Sequence, residues 1–236
     1  MRVTSRGLMR GTWAIILAIA ALAGGAMISV RQALSQEIPK AGGPKVVFEF
    51  EWAQADPHWY QISVDALGNT EYQSQPKLNP GETQGEPYVL KFIVTSKTRE
   101  RIFALASAAN RFEGNFDYKG STRMAQTGAK TLRYVEDGKT TASTFNYSDN
   151  KNVMELATVF QSIALTVDMG HELSQARRFD KLGVDAILRR LEEMAKDNDV
   201  IEIQAIAPVL RQIVDDHLSL NIARQRANRL LASASQ

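Results

Sequence analysis

Residues 46–52 read VVFEFEW and residues 59–72 read WYQISVDALGNTEY. In the first stretch Val46, Phe48, Phe50 and Trp52 share one face, while Glu49 and Glu51 point the other way. A period of two with one polar face is the mark of a half-buried strand. Tyr60, Ile62 and Val64 repeat the pattern against Gln61, Ser63 and Asp65. Leu67-Gly68-Asn69 then turns the chain into a short strand around Tyr72, which predicts a hairpin. YVLKFIVT, from Tyr88 to Thr95, reads as a fourth strand.

Ser96 is a plausible N-cap for a helix over about residues 97–110. Its stripe of Ile102, Leu105, Ala106 and Ala109 has helical spacing and should cover the apolar side of the sheet. KTLRYV and TTASTFNY, joined by Glu136-Asp137-Gly138-Lys139, predict a second hairpin, because Asp-Gly between alternating runs favours a tight turn. From Ser148 onward the period becomes 3.6. Val153, Leu156, Ala157, Phe160, Ile163 and Ala164 form one stripe. Leu173, Ala176, Phe179 and Leu182 follow, then Ile187, Leu191 and Met194, then AIAPVLRQIV and LNIARQRANRLLA. Pro208 must kink its segment or start a helix. The expected fold is α+β: an antiparallel sheet of about six strands covered by a helix, followed by an all-helical C-terminal subdomain.

Upstream, Arg2, Arg6 and Arg10 precede an uncharged, largely apolar run from Gly11 to Val30, closed by Arg31. Such a run follows the logic of a secretory signal or an uncleaved signal-anchor, since the Lys/Arg excess stays cytoplasmic. Both readings export the rest of the chain. Ala21-Leu22-Ala23 and Ala33-Leu34-Ser35 offer small residues for cleavage, but about 20 apolar residues also suffice to span a bilayer. The expected organisation is a leader over residues 1–35, a linker over 36–44, the sheet domain over 45–149 and the helical subdomain over 150–236.

The net charge of +2 divides unevenly along the 236 residues. Residues 1–40 hold five basic side chains against Glu37 alone, leaving 23 basic and 25 acidic residues in the body. A body so close to neutral lacks the footprint of a nucleic-acid binder. The chain has no cysteine, which excludes disulfides, thiolate metal sites and a cysteine nucleophile. His171-Glu172 begins a zinc-helix motif, but Gln175 stands where the second histidine belongs. Asp215-Asp216-His217 cannot converge on one ion from adjacent helical positions. Asp197-Asn198-Asp199 supplies two positions of a calcium loop and then departs from it at Ile201. No nucleophile elbow, P-loop or dinucleotide fingerprint is present, so neither a cofactor nor a metal is expected.

On WYQISVDALGNTEY, RIFALASAANRFEG (residues 101–114) and TLRYVEDGKTTASTFNY (residues 131–147), the stretch 46–164 resembles an exported bacterial domain family of unknown function. Members often carry a cysteine-containing segment ahead of the first hairpin strand. Here Ala55-Asp56-Pro57-His58 stands in its place, so no redox property carries over. The resemblance implies the fold and an extracytoplasmic location. Residues 205–233 resemble a single HEAT-type helical hairpin, echoed by LRRLEEMAKD at residues 188–197.

Two features suggest an interaction surface. His58, Trp59 and Tyr60 cluster beside Asp56-Pro57, and QPKLNPGETQGEP (residues 75–87) is a long connection rich in proline and glycine. Antiparallel pairing brings Trp59 to the start of that connection, so His58, Trp59, Tyr60, Pro80 and Gly81 are the expected contact residues. The expected function is non-catalytic binding of an envelope protein or ligand, with the membrane reached only through the leader. The alternative is a carboxylate-dependent envelope hydrolase using Glu49 and Glu51, which requires a raised pKa in a cleft.

Overall fold

The computed structural model describes residues 43–77, 86–121 and 124–234. The leader, most of the linker, Pro80 and Gly81 lie outside the described residues. The α+β class expected from the alternating runs is the one observed, with a six-stranded antiparallel sheet followed by a helical region.

The strands are β1 (Lys45–Glu51), β2 (Trp59–Asp65), β3 (Asn69–Gln75), β4 (Tyr88–Ile93), β5 (Ala129–Glu136) and β6 (Lys139–Phe145), in the order β4-β3-β2-β1-β5-β6. Hairpin chemistry fixes the register. The Asp65 carboxylate accepts the Leu67 and Asn69 N–H groups, each at 2.9 Å, and so closes the β2–β3 turn. Asp137 and Gly138 both have positive φ, the requirement of the tight turn that joins β5 to β6. One sheet face is apolar and buried, holding Phe48, Ile62, Tyr72 and Leu132. Glu49, Gln61, Glu71 and Arg133 occupy the open face, where the Arg133 guanidinium pairs with Glu49 at 3.0 Å. β1 ends at Glu51, so Trp52 lies just beyond the strand that its spacing suggested.

The buried face is covered by α1 (Ser96–Ala108) and by α2 (Lys151–Phe179), a helix of 29 residues. Thr95, rather than Ser96, caps α1: its hydroxyl accepts the Thr98 N–H at 3.3 Å. The stripes expected as separate segments at 153–164 and 173–182 are largely one helix, because nothing in 165–172 breaks it. The missing side chain of Gly170 admits Ile206: a Cβ there would meet Ile206 Cγ2 at 2.2 Å. The first half of α2 packs Val153, Leu156, Phe160 and Ile163 into the sheet's core. The second half adds Met169 and Leu173 to a helical cluster. That cluster is completed by α3 (Gly183–Lys196), α4 (Ala207–Asp215) and α5 (Asn221–Ser233). Pro208 marks a helix start, in the first turn of α4. Phe179 and Leu182, expected on an apolar stripe, are instead exposed at the α2–α3 turn.

Among the described residues α2 alone is long and apolar enough to cross a membrane, with a mean hydropathy of 1.2, and most of that stretch is buried within the protein. The helical region is tied to the sheet through Glu202, whose carboxylate accepts the Thr95 N–H at 2.8 Å and the Thr95 hydroxyl at 2.7 Å.

Candidate functional site

Phe48, Ile62, Tyr72 and Leu90 form one row across β1, β2, β3 and β4 on the covered face. α2 runs steeply across the strands above that row. Phe160 stacks on Phe48 with ring centroids 5.3 Å apart. Eight residues later, about 12 Å along a helix, Asp168 reaches Tyr72 two strands away, about 10 Å across a sheet. His171, one turn beyond Asp168, reaches Tyr88 on the edge strand, with ring centroids 4.1 Å apart. Helical spacing thus puts an acid and an imidazole on the same side of α2, above the part of the sheet that carries tyrosines.

The Tyr72 hydroxyl donates to Asp168 Oδ1 at 2.5 Å. Tyr60 joins the ring stack, 6.0 Å from Tyr72 and 5.1 Å from Phe50. Asp168 itself is half-buried, as are Tyr88 and His171, so this end of the row is partly open to solvent. Burial raises the Asp168 carboxyl to about 6; the Tyr72 hydrogen bond opposes that rise, and the charge of Asp56 adds to it. Burial also raises the Tyr60, Tyr72 and Tyr88 phenols, with the Asp168 charge adding to each. Burial holds the His171 imidazole below its ordinary value. The cluster is therefore a carboxyl that titrates close to neutrality, framed by neutral hydroxyls and a ring pair.

Asp56 lies in the turn between β1 and β2 and accepts the Lys77 N–H at 3.0 Å. His58 Nδ1 lies 2.9 Å from the Pro76 carbonyl oxygen, and the His58 N–H donates to the Gln75 carbonyl at 3.2 Å. The start of the 75–87 connection is in this way pinned against the β1–β2 turn. Trp59 pairs with Gln75 across the β2–β3 ladder, so the expected approach of Trp59 to that connection is present. The expected cluster is divided all the same. Trp59 is half-buried on the open face, whereas Tyr60 is 7% exposed on the covered face, because neighbouring strand residues point to opposite sides. His58 is engaged with backbone, and Pro80 and Gly81 lie outside the described residues. Glu49 is ion-paired with Arg133 on the open face, and Glu51 is exposed.

Two other polar features are structural. Lys130 is buried with its Nζ donating to the Asn146 carbonyl at 2.9 Å and the Thr127 hydroxyl at 3.1 Å, and burial lowers its pKa. Asp216 accepts the Leu218 N–H and the Ser219 hydroxyl and pairs with Lys181, which organises a turn. No group of three or more His, Asp or Glu side chains suited to a metal ion occurs among the described residues.

Sequence reasoning passed over Tyr72, Tyr88, Asp168 and His171 as a group. The available signal was Asp168 itself, an acid in the middle of a helix whose neighbours Val167 and Met169 are apolar. Compared with known proteins, the chain matches no family model and no curated protein.

Proposed function

We propose that this protein is an exported, non-catalytic binding module and that its ligand seats at the Tyr72–Asp168 pair beside the Tyr88–His171 stack. The carrying observation is the half-buried Asp168 carboxyl, fixed by Tyr72 at 2.5 Å and flanked by a partly open aromatic pair. A few convergent polar groups on a largely aromatic wall is the usual make-up of a small-ligand site. The ring pair favours a ligand with a flat apolar face, and the carboxyl favours hydroxyl or cationic donors beside that face. A sugar ring has both properties, and the cell envelope into which the arginine-led leader would deliver the body is rich in sugars. Trp59 is replaced in this reading, since its ring lies on the opposite side of the sheet.

The test is an NMR titration of the full chain with soluble envelope oligosaccharides. Shifts should centre on Tyr88, Asp168 and His171 and vanish in Tyr88→Ala, while Trp59→Ala binds as wild type. Binding that survives Tyr88→Ala and is lost in Trp59→Ala would overturn the assignment.

One observation favours the hydrolase alternative in modified form: a raised carboxyl, Asp168, with a second carboxylate, Asp56, near enough to influence it. Retaining and inverting glycosidases use such an acid with a second carboxylate. Product release from the same oligosaccharides, abolished in both Asp168→Asn and Asp56→Asn, would replace binding with catalysis.

A further inference from the structure

The chain shelters one edge of its sheet and leaves the other bare. β6 is flanked by residues 110–118: the Phe116 N–H donates to the Ser143 hydroxyl at 3.1 Å, and the Thr141 hydroxyl donates to the Arg111 carbonyl. At the opposite edge the Val94 N–H donates to the Gly68 carbonyl at 3.0 Å, continuing the β3–β4 ladder by one pair. Bonding alternates along an antiparallel strand, so Tyr88, Leu90 and Phe92 bond inward to β3. Val89, Lys91 and Ile93 therefore turn their N–H and C=O groups outward. Those outward groups have no hydrogen-bond partner among the described residues.

The side chains of β4 are incompletely covered as well. On the open face Val89 is 48% exposed and Ile93 is 64% exposed. On the covered face Leu90 and Phe92 pack against the core yet stay half-buried, whereas Ile62 and Tyr72 on the inner strands are fully buried. Unpaired backbone of this kind is matched by another extended strand, and the side chains on its two faces decide which strand fits. β4 fits itself. Antiparallel pairing of two copies about Lys91 sets Val89 opposite the partner's Ile93 on the open face and Leu90 opposite the partner's Phe92 on the covered face. The bonded positions in that register are 89 with 93 and 91 with 91, the ones whose backbone groups point outward. The same register sets Pro87 opposite Thr95. Proline has no N–H, and the Thr95 N–H is held by Glu202, so the ladder ends at both sides where the donors end. Pairing about Leu90 would instead set Ile93 against Pro87, and pairing about Phe92 would set Val89 against Thr95. Two lysines directly opposite one another repel, but each Lys91 Nζ lies 3.2 Å from Glu71, so the row Glu71-Lys91-Lys91-Glu71 across the two copies is neutral.

We infer that the outer edge of β4 is the contact of a two-fold symmetric dimer, in which β4 of one copy pairs antiparallel with β4 of a second copy about Lys91 and joins the two sheets into one. The contact is self-complementary, as a two-fold interface must be. A single pair of strands is smaller than a standard interface, so the dimer forms reversibly and depends on protein concentration.

The absence of cysteine makes the register directly testable. The full chain is purified in mild detergent as Lys91→Cys, Val89→Cys or Ile93→Cys and then oxidised. In the inferred register the two 91 positions lie about 5.5 Å apart, within disulfide reach, whereas the two 89 positions are displaced by four residues, about 13 Å along the strands. Lys91→Cys should therefore cross-link by itself, while Val89→Cys and Ile93→Cys should cross-link severalfold better mixed than separately. Lys91→Pro removes an outward N–H and no bond to β3, so its circular dichroism should match that of wild type while sedimentation shows the concentration-dependent dimer lost. Val89→Lys leaves the backbone intact, sets a charge against the partner's Ile93 and should have the same effect. A dimer that persists in both variants would overturn the proposal, because another part of the chain would then hold the copies together. Equal cross-linking at all three positions, or a wild-type chain that stays monomeric at the highest concentration reached, would overturn it too.

Discussion

Replacing Asp168 by Asn separates the charge at the centre of the site from its shape. The amide oxygen still accepts the Tyr72 hydroxyl, so the hydrogen bond is kept and only ionisation is removed. The native carboxyl titrates at about 6 against an ordinary value of 3.8. A raised acid holds its proton more tightly when folded, so its stabilising contribution is complete below the unfolded value and is lost as pH rises through about 6. That difference corresponds to about 3 kcal/mol, an upper bound because the group is partly open to solvent. For a body of this size that is about 6–12 °C in melting temperature. His171, lowered by burial, works in the opposite direction across the same window, losing stability as pH falls. Both proteins carry His171, so the difference between them isolates Asp168. Thermal unfolding followed by circular dichroism at pH 4 and pH 8 should show Asp168→Asn gaining on wild type as pH rises. A difference that is the same at both pH values, or that favours wild type at the higher one, would refute the burial of this carboxyl as described.

Phe160→Ala removes a fully buried ring stacked on Phe48 and should cost about 3–5 kcal/mol in denaturant unfolding, whereas the half-buried Phe92 on the edge strand should cost clearly less on truncation. Gly170→Ala drives a methyl into Ile206 and should destabilise by about 1–3 kcal/mol, although alanine is the better helix former at an open position. Equal or higher stability for that variant would show that α2 and the 3-10 turn at Ile203–Ile206 do not pack as closely as described. Glu202→Ala leaves the Thr95 N–H and hydroxyl without their acceptor and should cost about 1–3 kcal/mol, with hydrogen exchange rising first at the start of α1.

The sheet was readable because its signals are local. Val46, Phe48 and Phe50 alternate with their neighbours, and Asp137-Gly138 can adopt the positive φ values the turn requires. The course of α2 was less readable, since the role of Gly170 as a packing contact depends on Ile206, which arrives from 36 positions later. Phe179 and Leu182 fit a helical stripe in sequence, yet the helix ends before a partner element covers them. The site was least readable. Tyr72 and Asp168 stand 96 positions apart, and each has an ordinary local explanation, a strand aromatic and a helix acid. Only the crossing of α2 over β3 and β4 brings them together. His58, Trp59 and Tyr60 are contiguous but are split between two faces by the period of the strand that places them.

The claim that binding centres on Asp168 and Tyr88, under α2, is tested most directly by mapping ligand-induced chemical-shift changes on the full chain as soluble envelope oligosaccharides are added. The account predicts that the largest changes fall on Tyr88, Asp168 and His171, with a smaller response at Asp56 in the adjoining turn. Changes confined to the open face, at Trp59, Gln61 and Glu49, with Asp168 and His171 unmoved at saturation, would contradict it.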